Sequence, residues 1–356
     1  GNRTLGVMVL AQGSLKDVGG QIFYVNQAKR LNWGVNGGRI PYLQGYSGGF
    51  QNSDGSVTIV QELQRIFLAQ ASLMAAYPFS TTRRVETNIG VQRISFDVER
   101  ITYTYFGNVL VDNASQSLLA RDAVNLATAS IALVGDNSNI AYTSPVSGGR
   151  YRLEVGQAVG TETFTSVVAD VRRYFSPSNS ITFAARVLHL GRYGNHLDAN
   201  RTTAAIQPYF LGYETFIRGY AYESIGPEEC AATASQPGAV DGSCPVFDRL
   251  FGHRLGVANF EIRVPLLGND RFGLFNFPYL PTELFGFADA GVAFNEWNEV
   301  TWSFVETGSQ RVPVFSVGFG ARFNIFGFLI LEAYRAYPFQ RPEKGSHWGF
   351  VLSPGW

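Results

Sequence analysis

Hydrophobic and polar residues alternate with period two along much of the chain, most regularly toward its C-terminus. Over residues 315–325 one set reads Phe315, Val317, Phe319, Ala321, Phe323 and Ile325, the other Ser316, Gly318, Gly320, Arg322 and Asn324. That period gives a β-strand one apolar and one polar face. Residues 347–356 repeat it, with Trp348, Phe350, Leu352, Pro354 and Trp356 set against His347, Gly349, Val351, Ser353 and Gly355. Residues 252–266 set Ala258, Phe260, Ile262 and Val264 against Asn259, Glu261 and Arg263. Less regular strands are predicted at 150–159, 164–175 and 181–192, and in the first third at 4–11, 21–26, 67–77 and 85–98. In the last of these the phase slips near Val91-Gln92, which predicts a bulge. No helical period competes over a comparable length.

Two environments use such strands. In a soluble sandwich or propeller the apolar face packs a core and turns recur at short, even spacing. In a membrane barrel the apolar face meets lipid and the inner face carries charge. Connections here are uneven, with one long stretch at about 193–251. Charges fall on the polar phase of several strands: Glu154, Asp170, Arg172, Glu261, Asp289 and Arg322. Aromatics (Tyr334, Tyr337, Phe339, Trp348, Trp356) crowd the strand ends as interfacial girdles do. The expected fold is all-β, a transmembrane antiparallel β-barrel of about 16 strands, with 14 possible. One domain is expected over residues 1–356, any periplasmic domain lying outside this chain. No run of about 20 apolar residues marks a membrane helix.

Composition narrows the function. Lys plus Arg number 28 and Asp plus Glu 28, so the net charge is zero. A nucleic-acid partner, which calls for a basic surplus, is disfavoured. The two cysteines, Cys230 and Cys244, both lie in the long stretch. Two free thiols or one disulfide fit the spacing. The polar, Gly/Ser/Pro-containing surroundings favour the disulfide, which would contribute about 3 kcal/mol and place the loop in an oxidising compartment. The histidines His189, His196, His253 and His347 are dispersed, with no metal-ligand spacing, and neither Gly-x-Ser-x-Gly nor a P-loop is present. His253, near a strand end, is the one residue that a rim-located hydrolase site would use. A structural histidine is the plainer reading, and no enzyme is expected.

The most specific stretch is Phe210-Leu211-Gly212-Tyr213-Glu214-Thr215-Phe216-Ile217-Arg218-Gly219-Tyr220, continuing to Ile225-Gly226-Pro227. It resembles the sixth extracellular loop of the BamA-type outer-membrane family, barrels that assemble or translocate other outer-membrane proteins. Ile217-Arg218-Gly219-Tyr220 matches that family's V-R-G-F/Y signature. Ala258-Asn259-Phe260-Glu261 and Phe287-Ala288-Asp289-Ala290-Gly291 resemble its following strands, and residues 144–150 its periplasmic Pro-x-x-Gly turn. The resemblance covers about residues 140–356 well; the first 110 match only in style. If the loop folds into the lumen, the planar guanidinium of Arg218 could reach Glu261 and Asp289, Gly219 would permit a tight turn, and Ile217 and Tyr220 would pack the tip. The rival is a solvated arginine and scattered lumenal charges.

The resemblance implies a barrel in the bacterial outer membrane that inserts or translocates outer-membrane or surface proteins. The braced loop would act with a weak seam between first and last strands. Phe350 and Trp356 would carry the C-terminal strand signal, and Pro354, which cannot donate a ladder hydrogen bond, would leave the seam short. Partners would be outer-membrane lipids, client outer-membrane proteins and periplasmic or surface accessory proteins, with no cofactor and no metal. A passive channel, or a barrel that only anchors a larger envelope complex, remains open.

Overall fold

In the computed structural model, the described residues are 2–11, 15–194, 206–234, 243–269, 271–304, 310–341 and 344–352. Fifteen strands of six residues or more are found among them: β1 (Arg3–Ala11), β2 (Val18–Asn26), β3 (Asn32–Gln51), β4 (Val57–Pro78), β5 (Arg83–Phe106), β6 (Val109–Leu118), β7 (Val124–Asp136), β8 (Pro145–Gly160), β9 (Phe164–Ser178), β10 (Ile181–Tyr193), β11 (Arg254–Gly268), β12 (Thr282–Phe294), β13 (Val314–Ile325), β14 (Leu329–Pro338) and β15 (His347–Leu352). No described helix is long and apolar enough to cross a membrane. The chain divides into two compact units. The first comprises Gly1–Pro78, Glu86–Ile131 and Gly156–Thr163, the second Phe79–Val85, Ala132–Val155 and Phe164–Trp356.

In the first unit β1, β2, β3 and β4 form an antiparallel meander, and β6 pairs with the later part of β5. β3 and β4, 20 and 22 residues long, keep one register over 20 pairs. Of this hairpin only 67–77 is predicted from the alternation. β3 hides because glycines interrupt its period and Pro41 stands inside it, paired with Phe67. Two of these glycines are needed for close approach: a Cβ on Gly38 would strike the Gly20 carbonyl oxygen of the neighbouring strand, and one on Gly34 the Tyr24 carbonyl oxygen. β5 extends the predicted 85–98 at both ends, and its register shift against β6 falls between Thr104 and Tyr105. Arg65 is buried here between Asp17 (2.9 Å) and Glu99 (2.7 Å).

In the second unit β9, β10, β11, β12, β13, β14 and β15 pair in sequence order, all antiparallel. Their burial is inverted relative to a soluble sheet. On β13, Val317 and Phe319 are 39% and 54% exposed, whereas Ser316 and Arg322 are 0% and 1%. On β11, Phe260 and Ile262 are exposed while Asn259, Glu261 and Arg263 are buried. Strands that show carbon outward and cover their charges suit a lipid exterior.

Glycines on the polar face have a packing reason. Phe285 pairs with Gly320, Phe287 with Gly318 and Tyr334 with Gly349, and a Cβ on any of the three glycines would collide with that ring. Each ring lies across the neighbouring strand. Tyr334 is therefore fully buried, paired inside the wall and donating its hydroxyl to Glu214 Oε1 (2.7 Å). This corrects the expectation of an interfacial girdle residue. Tyr337, Phe339 and Trp348 are exposed as expected. Residues 145–150, expected to turn, are already in β8; the turn precedes them, closed by Ala141 N–H donating to the Ser144 carbonyl. Pro354 and Trp356 lie outside the described residues.

Candidate functional site: the long loop on the charged wall

Between β10 and β11 the chain first makes a two-residue pairing, Tyr209–Phe210 with Phe251–Gly252, that closes the neck of the long loop. Above it, Phe210, Tyr213, Tyr222, Phe247 and Phe251 form an aromatic cluster with neighbouring ring centroids 4.8–6.1 Å apart. Leu211, Ile217, Tyr220 and Leu250 are buried against Leu188, Leu255, Val257, Ala293 and Val314. The last five stand on β10 to β13, so loop carbon seals against the apolar upper part of the wall. The charged part of the same faces follows from Asn259 onward.

Ile217 and Arg218 enter through a turn in which both Phe216 N–H and Ile217 N–H donate to the Tyr213 carbonyl (2.7 and 3.0 Å). Arg218 then meets the wall with its whole fork. Nε and Nη2 donate to Asp289 Oδ2 (2.8 Å) and Oδ1 (2.9 Å), a two-point contact, while Nη1 donates to Glu261 Oε1 (2.7 Å). Its backbone N–H also points at Asp289 (3.2 Å), and Glu332 Oε1 lies 3.5 Å from Nη1. The guanidinium carbon sits 3.7 Å from the centroid of the Phe287 ring, a cation–π placement. Burial alone would pull this guanidinium down, but Asp289 and Glu261 outweigh it and hold it above its ordinary range. Gly219 follows with φ +90°, where a Cβ would also press on Ala336 at 3.1 Å. Glycine meets both demands.

Tyr220 is fully buried. Its hydroxyl accepts from Gln340 N–H (3.1 Å) and lies within donating distance of the Phe315 carbonyl (3.0 Å) and Gln340 Oε1 (3.2 Å). The sequence-predicted residues Ile217, Arg218, Gly219, Tyr220, Glu261 and Asp289 thus fall in one place. Cys230 and Cys244 are bonded to each other, with Cα atoms 4.4 Å apart. Phe350 is exposed on β15.

The wall beneath Arg218 holds more than the alternation pointed out. Glu261 also accepts from Arg263 Nε (2.7 Å) and Arg322 Nη2 (2.9 Å). Arg322 reaches on to Glu332 (2.7 Å) and Glu283 (3.1 Å), and Ser144 Oγ contacts both Glu283 oxygens. Asn259 donates to Asp289 Oδ1 (2.9 Å) and to the Phe216 carbonyl (2.7 Å), tying wall to loop a second time. Arg186 on β10 donates to the Thr215 carbonyl (2.9 Å) while paired with Asp170. Glu283 carried a usable signal, being in phase with Asp289 on its own strand, whereas Glu332 is in phase with Tyr334, which the sequence alone places at an interface. The network has the chemistry of a fixed, mutually neutralising charge lattice. Among the described residues no group of three or more His, Cys, Asp or Glu is arranged to hold a metal. His253 is buried and lies at the loop end of β11, its backbone N–H donating to Asn295 Oδ1 (3.0 Å).

A match to the Omp85 superfamily domain spans residues 45–355, most of the chain and all of this site. The chain belongs to the Omp85 superfamily. Its fold is accordingly that of a transmembrane antiparallel β-barrel, and its place is the bacterial outer membrane. Among solved structures, this Omp85 chain is similar to BamA from Haemophilus ducreyi lacking POTRA domains 1–3. The two are 12% identical, with a TM-score of 0.55, over 99% of this chain and 70% of that one. It is also similar to CdiB from Acinetobacter baumannii, at 12% identity and a TM-score of 0.48, over 94% of this chain and 49% of that one. This Omp85 chain therefore spans about half the length of that CdiB protein. No curated protein matches it.

Proposed function

We propose that this chain is the barrel part of an outer-membrane protein that inserts or translocates other outer-membrane or surface proteins. The long loop serves as a lumenal brace, and the junction of first and last strands is the weak line at which a client strand is added. The reading rests on one observation above all: Arg218, carried by the loop, spends its donors on acids from β11 and β12 while stacked on Phe287. A loop so held fixes the strands at its root and leaves compliance elsewhere. An exposed strand edge is a template for an incoming strand. Clients, together with periplasmic or surface accessory proteins, are the partners this mechanism calls for. No catalytic residue and no cofactor enter it.

The test is reconstitution. Purified protein in lipid vesicles should speed the folding of an unrelated outer-membrane barrel, read as appearance of its compact, heat-modifiable form on a gel. Arg218→Ala should lose that acceleration. Equal folding rates with and without the protein would remove the proposal and favour a barrel that only anchors a complex. A large, steady single-channel current would instead favour a passive channel.

A further inference from the structure

Beside the Arg218 contact, the loop is gripped a second time, from a part of the chain that leads directly into the last strand. Arg341 lies in the connection between β14 and β15 and is 1% exposed. Its fork takes the Glu229 carboxylate at two points, Nε to Oε2 (2.8 Å) and Nη2 to Oε1 (2.6 Å). The remaining donors go to the carbonyl of Gly219 (2.6 Å) and to the hydroxyl (2.8 Å) and carbonyl (2.6 Å) of Ser224. All five of these bonds end on residues 219–229. Gln340, fully buried next to it, contacts the Tyr220 hydroxyl through both its N–H and Oε1, and its carbonyl accepts from Arg249 (3.1 Å). Lys344 adds a contact to the Ser224 carbonyl (3.2 Å).

Glu229 is itself held in place. It sits in the helix Pro227–Ala234, whose next residue, Cys230, is bonded to Cys244 at the start of the helix Pro245–Asp248. On the other side, the described part of the connection passes from Arg341 through Lys344 to Ser346. Ser346 accepts two bonds from Arg335 (2.9 and 2.6 Å), and His347 then opens β15, paired with Ala336.

We infer that Arg341, with Gln340, is a positioning residue that couples the seat of the long loop to the placement of the last strand. Withdrawal of the loop pulls on Arg341 and loosens β15 from its His347 end; displacement of β15 likewise frees residues 219–229. Its use in admitting a client strand rests on the function proposed above, but the coupling itself does not. Coupling between two sites is reciprocal, so it must be visible from both ends.

Amide hydrogen exchange on the full chain in detergent, read by mass spectrometry without any client, tests it. Glu229→Gln keeps the side-chain shape and removes the charge. It should raise exchange at least about tenfold both in 219–229 and in 347–352, leaving 254–268 and 282–294 unchanged. From the other end, Arg335→Gln, which weakens the hold on Ser346, should speed exchange in 219–229. Arg341→Lys, which keeps charge but loses the two-point fork, should fall between wild type and Glu229→Gln. If Glu229→Gln does not fold, reduction of the Cys230–Cys244 bond in the wild-type protein supplies the same perturbation, and 347–352 must again respond. Faster exchange confined to the loop, with 347–352 unchanged, overturns the coupling. Loss of client folding with this pattern intact would instead count against the proposed function alone.

Discussion

Arg218 shows what a single side chain can and cannot be read to do from sequence. Its partners Glu261 and Asp289 were legible because strict alternation placed them on one face of consecutive strands. Glu332 and the Phe287 ring were not, since each depends on which strand lies next and in what register. A charge removed from water and left without its partner typically costs about 3–5 kcal/mol. Arg218→Ala and Glu261→Gln should therefore each unfold earlier on a heat-modifiability gel, Arg218→Ala more so because it strands two acids. Identical transition temperatures for wild type and both variants would refute the contact's importance. Acid should act elsewhere, on Glu229. Burial would raise its carboxyl, but the Arg341 fork overrides this and holds it below its ordinary value of 4.5. A carboxyl lowered in the folded state stabilises above that value, and its contribution is lost as pH falls through the folded one. Protease cleavage within residues 219–234 should stay constant from pH 7 to about pH 5 and increase only below about pH 4.5.

Among elements, legibility followed the regularity of the period. β11, β13 and β15 were plain because most of their outward residues are large and, with Leu255, Val257, Val314 and Val351 among the exceptions, most of their inward ones are polar or glycine. β3 was not, although it is among the longest strands, because its glycines read as turn residues, two of them, Gly34 and Gly38, serving close contact with neighbouring backbone. The aromatic rings lying over Gly318, Gly320 and Gly349 explain why the polar faces of β13 and β15 carry glycine at all. Tyr334 looked like a girdle residue for the same reason: its hydroxyl suits an interface, but its ring is placed by pairing with Gly349. Gly219 is a different case, set by its φ of +90°. Gly219→Ala should cost more than about 1 kcal/mol, seen as a lowered transition temperature, because both backbone and Ala336 resist the methyl group. Reducing the disulfide should expose the helix Pro227–Ala234 to protease without abolishing the heat-modifiable barrel. Simultaneous loss of both would show that the helix supports the wall and is not an attachment to it.

For the whole molecule, the deciding property is the exchange of inside and outside. Charged side chains are buried in a lattice of arginines and acids, while phenylalanine, valine and isoleucine are shown outward. A lysine introduced at Phe319, in mid-strand, should destabilise the protein in bilayers by about 2–4 kcal/mol, measured by denaturant titration, and the same change nearer a strand end by less. The β3–β4 hairpin carries a separate consequence. A bilayer crossing occupies about 9–11 residues of a tilted strand, yet these two run for 20 and 22. Roughly half of each arm thus has no acyl chains to face. Tyr42, Gln44, Tyr46 and Gln51, all exposed on one arm, suit a stalk standing in water. Its tip at residues 52–56 becomes the natural place for an epitope tag, or for an antibody to find an otherwise immersed protein.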